Sequence, residues 1–248
     1  MYENDRVSLM EAEKIDLKFH KTMAQPFLKK AKRVKKNLAI LKKEKLPQQL
    51  LSDITSIYEK YNQVRKFSQP LIEKNTKHQF KNPNLFLIVF LYKEISKIFN
   101  EVHNLVKHDK VKSDVPNEFF LEMRQLKETM MTLAFIGDSA IEIGVIRSIW
   151  HTDNPDKIPS KGKLDPDKKF ITTEKTQADL WDFLDLYDLK VLIPYPDESA
   201  RSKSSLFEAI FGIIYLEAGQ EAIESAIQNL KNRYEKNHEL SLSTSPGK

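Results

Sequence analysis

Two acidic residues lie inside one of the most apolar stretches of the chain, where acids are rarely found. Asp138 and Glu142 stand within residues 132–147, whose other side chains are mostly apolar. Because an α-helix has about 3.6 residues per turn, a spacing of four places both carboxylates on one helical face. A buried carboxylate is costly unless a cation or a hydrogen-bond donor lies beside it. Gly137, directly before Asp138, leaves room for another backbone or a ligand.

A third acid, Glu208, stands near the start of a second apolar segment, residues 204–216. Two buried helices with facing carboxylates could hold a divalent cation, because hard cations such as Mg²⁺ prefer oxygen ligands and keep several waters. A water bound to such a cation can attack a phosphodiester. The pattern is therefore compatible with a metal-dependent phosphodiesterase site.

Two structural interpretations of these acids remain open. Ser205 and Glu208 match a capping box, in which the glutamate only satisfies a backbone N–H at a helix start. Asp138 and Glu142 could instead pair with Arg147 or Lys203. No competing site is evident, since the six histidines show no ligand spacing and no Ser-His-Asp motif is present. The chain has no cysteine, which excludes disulfides and thiolate metal sites.

Positive charge is concentrated in residues 21–45, which hold ten Lys or Arg and one Glu. The net charge of this segment is +9, whereas that of the whole chain is +5, so the remainder is mildly acidic. Apolar residues recur within it at helical spacing: Phe27, Ala31, Val34, Leu38 and Leu41. This stripe could dock on the body while the cations follow phosphates, although a solvated helix face fits as well. The candidate RNA-binding cations are Lys29, Lys30, Lys32, Arg33, Lys35 and Lys36.

The elements that must position these residues are predicted to be helices throughout, so the fold class is all-α. The expected units are a basic helical extension (1–76), a catalytic domain (77–235) and a disordered Ser/Pro-rich tail (236–248). Proline predicts the end of the basic helix at Leu46-Pro47 and a helix break at residues 68–70. Further helices are expected over 85–107, from 117, and over 130–150, 172–189, 204–218 and 220–235, with loops over 151–167 and 194–202.

Two segments resemble the ribonuclease III family. Residues 133–138 (LAFIGD) resemble its signature helix, and residues 207–217 (FEAIFGIIYLE) resemble its second acid-bearing helix. Residues 161–164 and 171–180 resemble the pattern between them, and residues 78–87 resemble the opening motif more weakly. The family usually has four carboxylates at its site, but Ala134 and Ser205 replace two of them here.

The reduced acid set resembles that of the Mini-III branch, whose members are active nucleases without a double-stranded-RNA-binding domain. Mini-III shows the same signature with a glutamate four residues after the aspartate, a Lys-Ser-Gln-Ala stretch similar to residues 175–178, and small polar residues before its second acid. The resemblance implies that Asp138 and Glu208 are catalytic metal ligands, with Glu142 as a nearby catalytic assistant. It also implies Mg²⁺, or Mn²⁺ in its place, as the cofactor.

The expected function is cleavage of double-stranded or structured RNA, such as ribosomal RNA precursors, by a cytoplasmic homodimer without membrane contact. The resemblance places Phe135 at the dimer contact, although ordinary core packing explains it nearly as well. Lys175, Arg201 and Lys203 are further candidate phosphate contacts, or simple surface charges. The basic extension, which Mini-III lacks, would supply the remaining phosphate contacts. The main alternative is a catalytically degenerate RNA-binding scaffold; a protein–protein adaptor explains neither the basic segment nor the buried acids.

Overall fold

The computed structural model describes the backbone of residues 4–153, 171–183 and 199–243, and the side chains of residues 22–147, 171–182 and 199–234. Within these ranges the chain is all-helical, which confirms the all-α class, and no strand occurs in them. The helices are α1 (Asn4–Leu41), α2 (Gln48–Gln63), α3 (Gln69–Thr76), α4 (Leu85–Lys107), α5 (Asn117–Arg124), α6 (Leu126–Asp153), α7 (Glu174–Phe183), α8 (Ala200–Ala218) and α9 (Gln220–Ser243).

The centre of the fold is the pair α6 and α8. Helix α8 packs along α6 and α7, while α9 and α4 cover further parts of α6. Helix α8 is apolar on most sides, so it must be enclosed, and Phe207, Phe211 and Ile214 are at most 1% exposed. The first two turns of α4, residues 85–92, are buried as well. The two acid-bearing helices predicted from sequence are therefore neighbours in the core.

Helix α1 buries the predicted stripe. Ala31, Val34, Leu38 and Leu41 are at most 1% exposed and belong to the same apolar core as α4, α6 and α8. The helix ends at Leu41, five residues before the predicted end, and it continues upstream to Asn4 with Pro26 inside it. A proline in a helix interior removes one backbone hydrogen bond, and the long helical segments on either side of Pro26 offset that loss.

The predicted helix break at residues 68–70 is wrong. The chain stays helical from α2 to α3 through a π-helical turn, Val64–Ser68. Pro70 lies in the first turn of α3, where a missing N–H costs little. The wider turn absorbs the proline instead of ending the helix.

A buried carboxylate ties the segment before α4 to the end of α8. Glu217 has 2% of its side chain exposed and contacts His78 Nε2 at 3.0 Å. The backbone N–H groups of Lys81 and Asn82 donate to it at 3.0 and 2.8 Å, and Asn82 Nδ2 donates at 3.1 Å. These four contacts fix where the 78–84 segment enters α4.

Several predicted boundaries differ from the structure. Helix α6 reaches Asp153, into the predicted 151–167 loop, and residues 154–170 lie outside the described residues. Of the helix predicted over 172–189, α7 covers Glu174–Phe183 and residues 184–198 are not described. Helix α8 begins at Ala200, inside the predicted 194–202 loop. Helix α9 continues to Ser243, into the segment predicted as a disordered tail (236–248), of which residues 244–248 are not described.

Candidate active site

The two acid-bearing helices cross in backbone contact at a pair of glycines. A Cβ built on Gly137 would lie 1.8 Å from the carbonyl oxygen of Glu208, and one built on Gly212 would lie 2.1 Å from the carbonyl oxygen of Leu133. Real side chains do not tolerate such distances, so only glycine allows this approach. Because Asp138 directly follows Gly137, the crossing brings its carboxylate beside Glu208.

Glu208 has an unusual electrostatic environment. Burial, followed by the charges of Asp138 and Glu174, raises the pKa of this half-buried carboxyl to about 7, against a hydrogen bond from Ser204 that lowers it. Acids that repel one another in this way either share protons or gather around a cation. A divalent cation would relieve the repulsion, so the donor chemistry here fits Mg²⁺ or Mn²⁺.

Helix α7 contributes two residues that sequence reasoning missed. Glu174 lies in its first turn and acts on Glu208 electrostatically. Gln177, one turn later, is 1% exposed, and its Oε1 accepts a hydrogen bond from Ser204 Oγ, which also lies 3.0 Å from Glu208 Oε1. The i to i+3 spacing of the two polar residues on a short helix was the available signal.

The capping-box interpretation of Glu208 is wrong. Helix α8 begins at Ala200, and its N-cap is Ser199, whose side chain accepts a hydrogen bond from the N–H of Ser202. Glu208 therefore lies about two turns inside the helix, where no backbone N–H needs a capping partner. Its position beside Asp138 is not explained by helix capping.

The two cations considered as partners for the α6 acids are each held by another acid. Arg147 Nε lies 2.9 Å from Glu224, and Lys203 pairs with Asp182 of α7. Lys203 thus forms a half-buried ion pair that joins α8 to α7, and its assignment as a phosphate contact stays a prediction. Glu142 is half-buried one turn after Asp138 on α6.

Asp138 and Glu174 act on Glu208 electrostatically, but the carboxylates do not form a compact ligand shell. Among the described side chains, no group of three or more His, Asp or Glu lies close enough to hold a metal ion. Mg²⁺ is often bound by one or two carboxylates with waters and substrate phosphates completing its shell, so Asp138 and Glu208 suffice as donors. Ala134 is 2% exposed and packs in the core.

Comparisons with family models, characterised proteins and solved structures gave no match. The chemistry of the site therefore has to be inferred from the chain's own residues.

The six cations predicted on α1 fall into two groups. Lys30 Nζ donates to Thr129 at 2.9 Å, and burial lowers its pKa. Arg33 pairs with Glu122 at 2.7 Å and lies over the Phe119 ring, while Lys35 lies over the Tyr61 ring. The other three cations, Lys29, Lys32 and Lys36, are exposed and make no ion pair or hydrogen bond with the described residues. These three share one helical face and are the better candidates for phosphate contacts; Lys175 and Arg201 are exposed too.

Helix α6 also presents apolar side chains to solvent. Phe135 is 72% exposed, so it is not ordinary core. Met131 before it and Ile143 and Ile146 after it on the same helix are 37%, 51% and 39% exposed. Within the described residues, Leu126–Arg147 is the one helix long and apolar enough to cross a membrane, and 44% of that window is buried. Core helices pass the same test, so the composition alone assigns no membrane role.

Proposed function

We propose that the chain is a Mg²⁺-dependent endoribonuclease of the ribonuclease III type, which cleaves double-stranded or structured RNA in RNA processing such as ribosomal RNA maturation. The observation that carries this proposal is the convergence of Asp138 and Glu208 at the Gly137–Gly212 crossing. Both acids belong to the segments that resemble the family's acid-bearing helices. The shared crossing supports the proposal because it brings two half-buried carboxylates close enough to repel each other, and a cation bound between them would offset that repulsion.

In the proposed mechanism, Asp138 and Glu208 hold the cation. When bound, Mg²⁺ supplies an activated water and offsets charge on the phosphate in the transition state. Glu174 adds negative charge beside Glu208, which favours a positive ion at that carboxyl, either a proton or the metal ion that would displace it. Glu142, one turn beyond Asp138 on the same face of α6, would assist by accepting a hydrogen bond from a water bound to the cation.

The proposed substrate contacts come from exposed cations. Lys29, Lys32 and Lys36 form a row on α1, and Lys175 and Arg201 lie on the two helices next to Glu208. Such cations bind phosphates without regard to sequence, which suits recognition of an A-form duplex by its backbone and shape.

The proposed assembly is a homodimer formed through the exposed apolar residues of α6. An exposed phenylalanine flanked by further apolar side chains on one helix is typical of an interaction surface. We expect light scattering to show a dimer that Phe135→Glu converts to monomer. Phe67→Glu is the matched control, because Phe67 is 57% exposed on the π-helical turn. A dimer that survives Phe135→Glu would contradict this assembly.

The test of the nuclease is cleavage of a long RNA duplex with Mg²⁺ by the full chain, by Asp138→Asn and by Glu208→Gln. We expect cutting by the unaltered chain and a loss of at least about 100-fold in each variant, because each removes one metal ligand. Glu101→Gln is the matched control, since it makes the same acid-to-amide change at a side chain that is 44% exposed on α4, and it should affect cleavage little.

The alternative is a catalytically degenerate protein that binds RNA through the same fold. The incomplete ligand group among the described side chains favours this alternative. It predicts tight duplex binding with no cutting under Mg²⁺ or Mn²⁺, and equal binding by Asp138→Asn.

A further inference from the structure

Three polar residues form a chain that leads from the core to one of the proposed metal ligands. Gln177 on α7 is 1% exposed and Ser204 on α8 is 4% exposed. Ser204 Oγ is hydrogen-bonded to the Gln177 amide and lies 3.0 Å from Glu208 Oε1. Two nearly inaccessible polar side chains are therefore linked, one after the other, to a half-buried carboxylate.

The single hydroxyl hydrogen of Ser204 decides which group donates in each of these hydrogen bonds. A hydroxyl carries one hydrogen, so Ser204 cannot donate to Gln177 Oε1 and to Glu208 Oε1 at once. Gln177 Nε2 is also buried without an acceptor among the described residues. A half-turn of the amide places its NH₂ group against Ser204 Oγ and leaves the Ser204 hydrogen for Glu208. Both contacts are then satisfied together, and the amide group left unpaired is the carbonyl, which proteins tolerate better than an unpaired N–H.

We infer that Gln177 and Ser204 are positioning residues for Glu208, an inference that rests on the proposed function. Gln177 donates to Ser204, and Ser204 donates to Glu208 Oε1. This donation fixes the orientation of the carboxylate and favours its charged form, which is the form that would bind a cation. Groups that hydrogen-bond a metal ligand from behind commonly set the affinity of the site, because they remove the cost of ordering the ligand.

The inference assigns a role to residues that carry no charge. Helix α7 packs on α8 and places Gln177 against Ser204, four residues before Glu208. Ser204 lies on the same face of α8 as Glu208, because residues four apart stack on a helix. The contact between the two helices thereby reaches the carboxylate through two hydrogen bonds.

The experiment is calorimetric titration of Mn²⁺ into the full chain without RNA, for the unaltered protein and for Ser204→Ala, Ser204→Thr and Gln177→Leu. We expect Ser204→Ala and Gln177→Leu to weaken Mn²⁺ binding by about 10-fold or more. Ser204→Thr keeps the hydroxyl and should bind nearly as the unaltered chain does. In duplex cleavage, Ser204→Ala and Gln177→Leu should lower kcat and leave the KM for RNA unchanged.

Ser96→Ala separates positioning from simple stabilisation. It deletes a hydroxyl that bonds the carbonyl of Met123 at 2.8 Å, away from α7 and α8, so it should lower the melting temperature without changing Mn²⁺ affinity. Mn²⁺ binding by Ser204→Ala equal to that of the unaltered chain would overturn the positioning role alone. Failure of the unaltered chain both to bind Mn²⁺ and to cut a duplex with Mg²⁺ or Mn²⁺ would overturn the proposed function along with it.

Discussion

At the scale of single residues, two glutamates of α8 have opposite electrostatic surroundings. Glu208 meets one donor, Ser204, and two other acids, and its pKa is raised to about 7. Glu217, nine residues later, is buried, which by itself raises its pKa, but hydrogen bonds from His78, Lys81 and Asn82 outweigh burial and lower it. The first environment suits binding of a cation, whereas the second suits a permanent anion that holds the fold together.

We expect Glu217→Gln to destabilise the protein at neutral pH by about 2 kcal/mol, because an uncharged amide cannot accept all the hydrogen bonds that the carboxylate takes. The pKa of Glu217 is lower in the folded chain than its ordinary value of 4.5, so its stabilisation is present above that pH and is lost as the pH falls through the folded pKa. Urea unfolding at several pH values should show the difference between variant and unaltered protein shrinking below about pH 4.5.

Glu101→Gln is the control for this measurement. Glu101 is 44% exposed, and its ion pair with Lys97 is long at 3.8 Å. Exposed pairs of this kind contribute little to stability. A constant difference for Glu217→Gln from pH 7 down to pH 3 would show that its stabilising effect does not depend on its charge.

At the scale of elements, the crossing of α6 and α8 is the contact on which the candidate site depends. Its closeness comes from Gly137 and Gly212, each of which lies against backbone atoms of the other helix. Interdigitated larger residues would separate the helix axes and carry Asp138 away from Glu208. The site is thus a consequence of how two core helices pack, not of a loop placed above them.

We expect Gly137→Ala to destabilise the protein by about 3 kcal/mol, because its methyl group would meet the Glu208 carbonyl at 1.8 Å and backbone atoms cannot rotate away. Thermal unfolding measures the loss. Gly144→Ala on the same helix is the matched control, since its methyl group would meet the ends of Ile223, Ile227 and Gln220 side chains at 3.0 Å or more. Contacts of that length need a shift of only a few tenths of an ångström, and alanine favours the helix by about 1 kcal/mol, so the control should cost much less than Gly137→Ala. Equal losses in both variants would contradict the close crossing.

At the scale of the whole molecule, positive charge and core are joined in one helix. Helix α1 buries Val34, Leu38 and Leu41 completely, while Lys29, Lys32 and Lys36 face solvent. Removing residues 1–45 would therefore expose part of the core as well as delete cations. Substitution of the exposed lysines tests RNA binding without this complication.

We expect the triple change of Lys29, Lys32 and Lys36 to Gln to weaken duplex RNA binding and to reduce the salt dependence of the logarithm of the affinity by roughly one unit per lost phosphate contact. Titrations at several salt concentrations measure the slope. The control is the triple change of Lys107, Lys110 and Lys112 to Gln, which removes the same charge from the exposed end of α4 and the linker after it. Identical slopes for the two triple variants would argue against a specific role for the α1 row.

The sequence by itself determined the all-helical class, the apolar stripe of α1 and the two acid-bearing segments, because helical periodicity is a local property that neighbouring residues define. It did not determine the continuous helix through Pro70, since a π-helical turn depends on how α2 and α3 pack. It also failed to distinguish Lys30 and Arg33 from Lys29 and Lys32, because Thr129 and Glu122 lie about a hundred residues away along the chain. Only the tertiary structure decided that Glu174 and Gln177 lie near Glu208 and Ser204, since the spacing along one helix does not show which other helix it packs against.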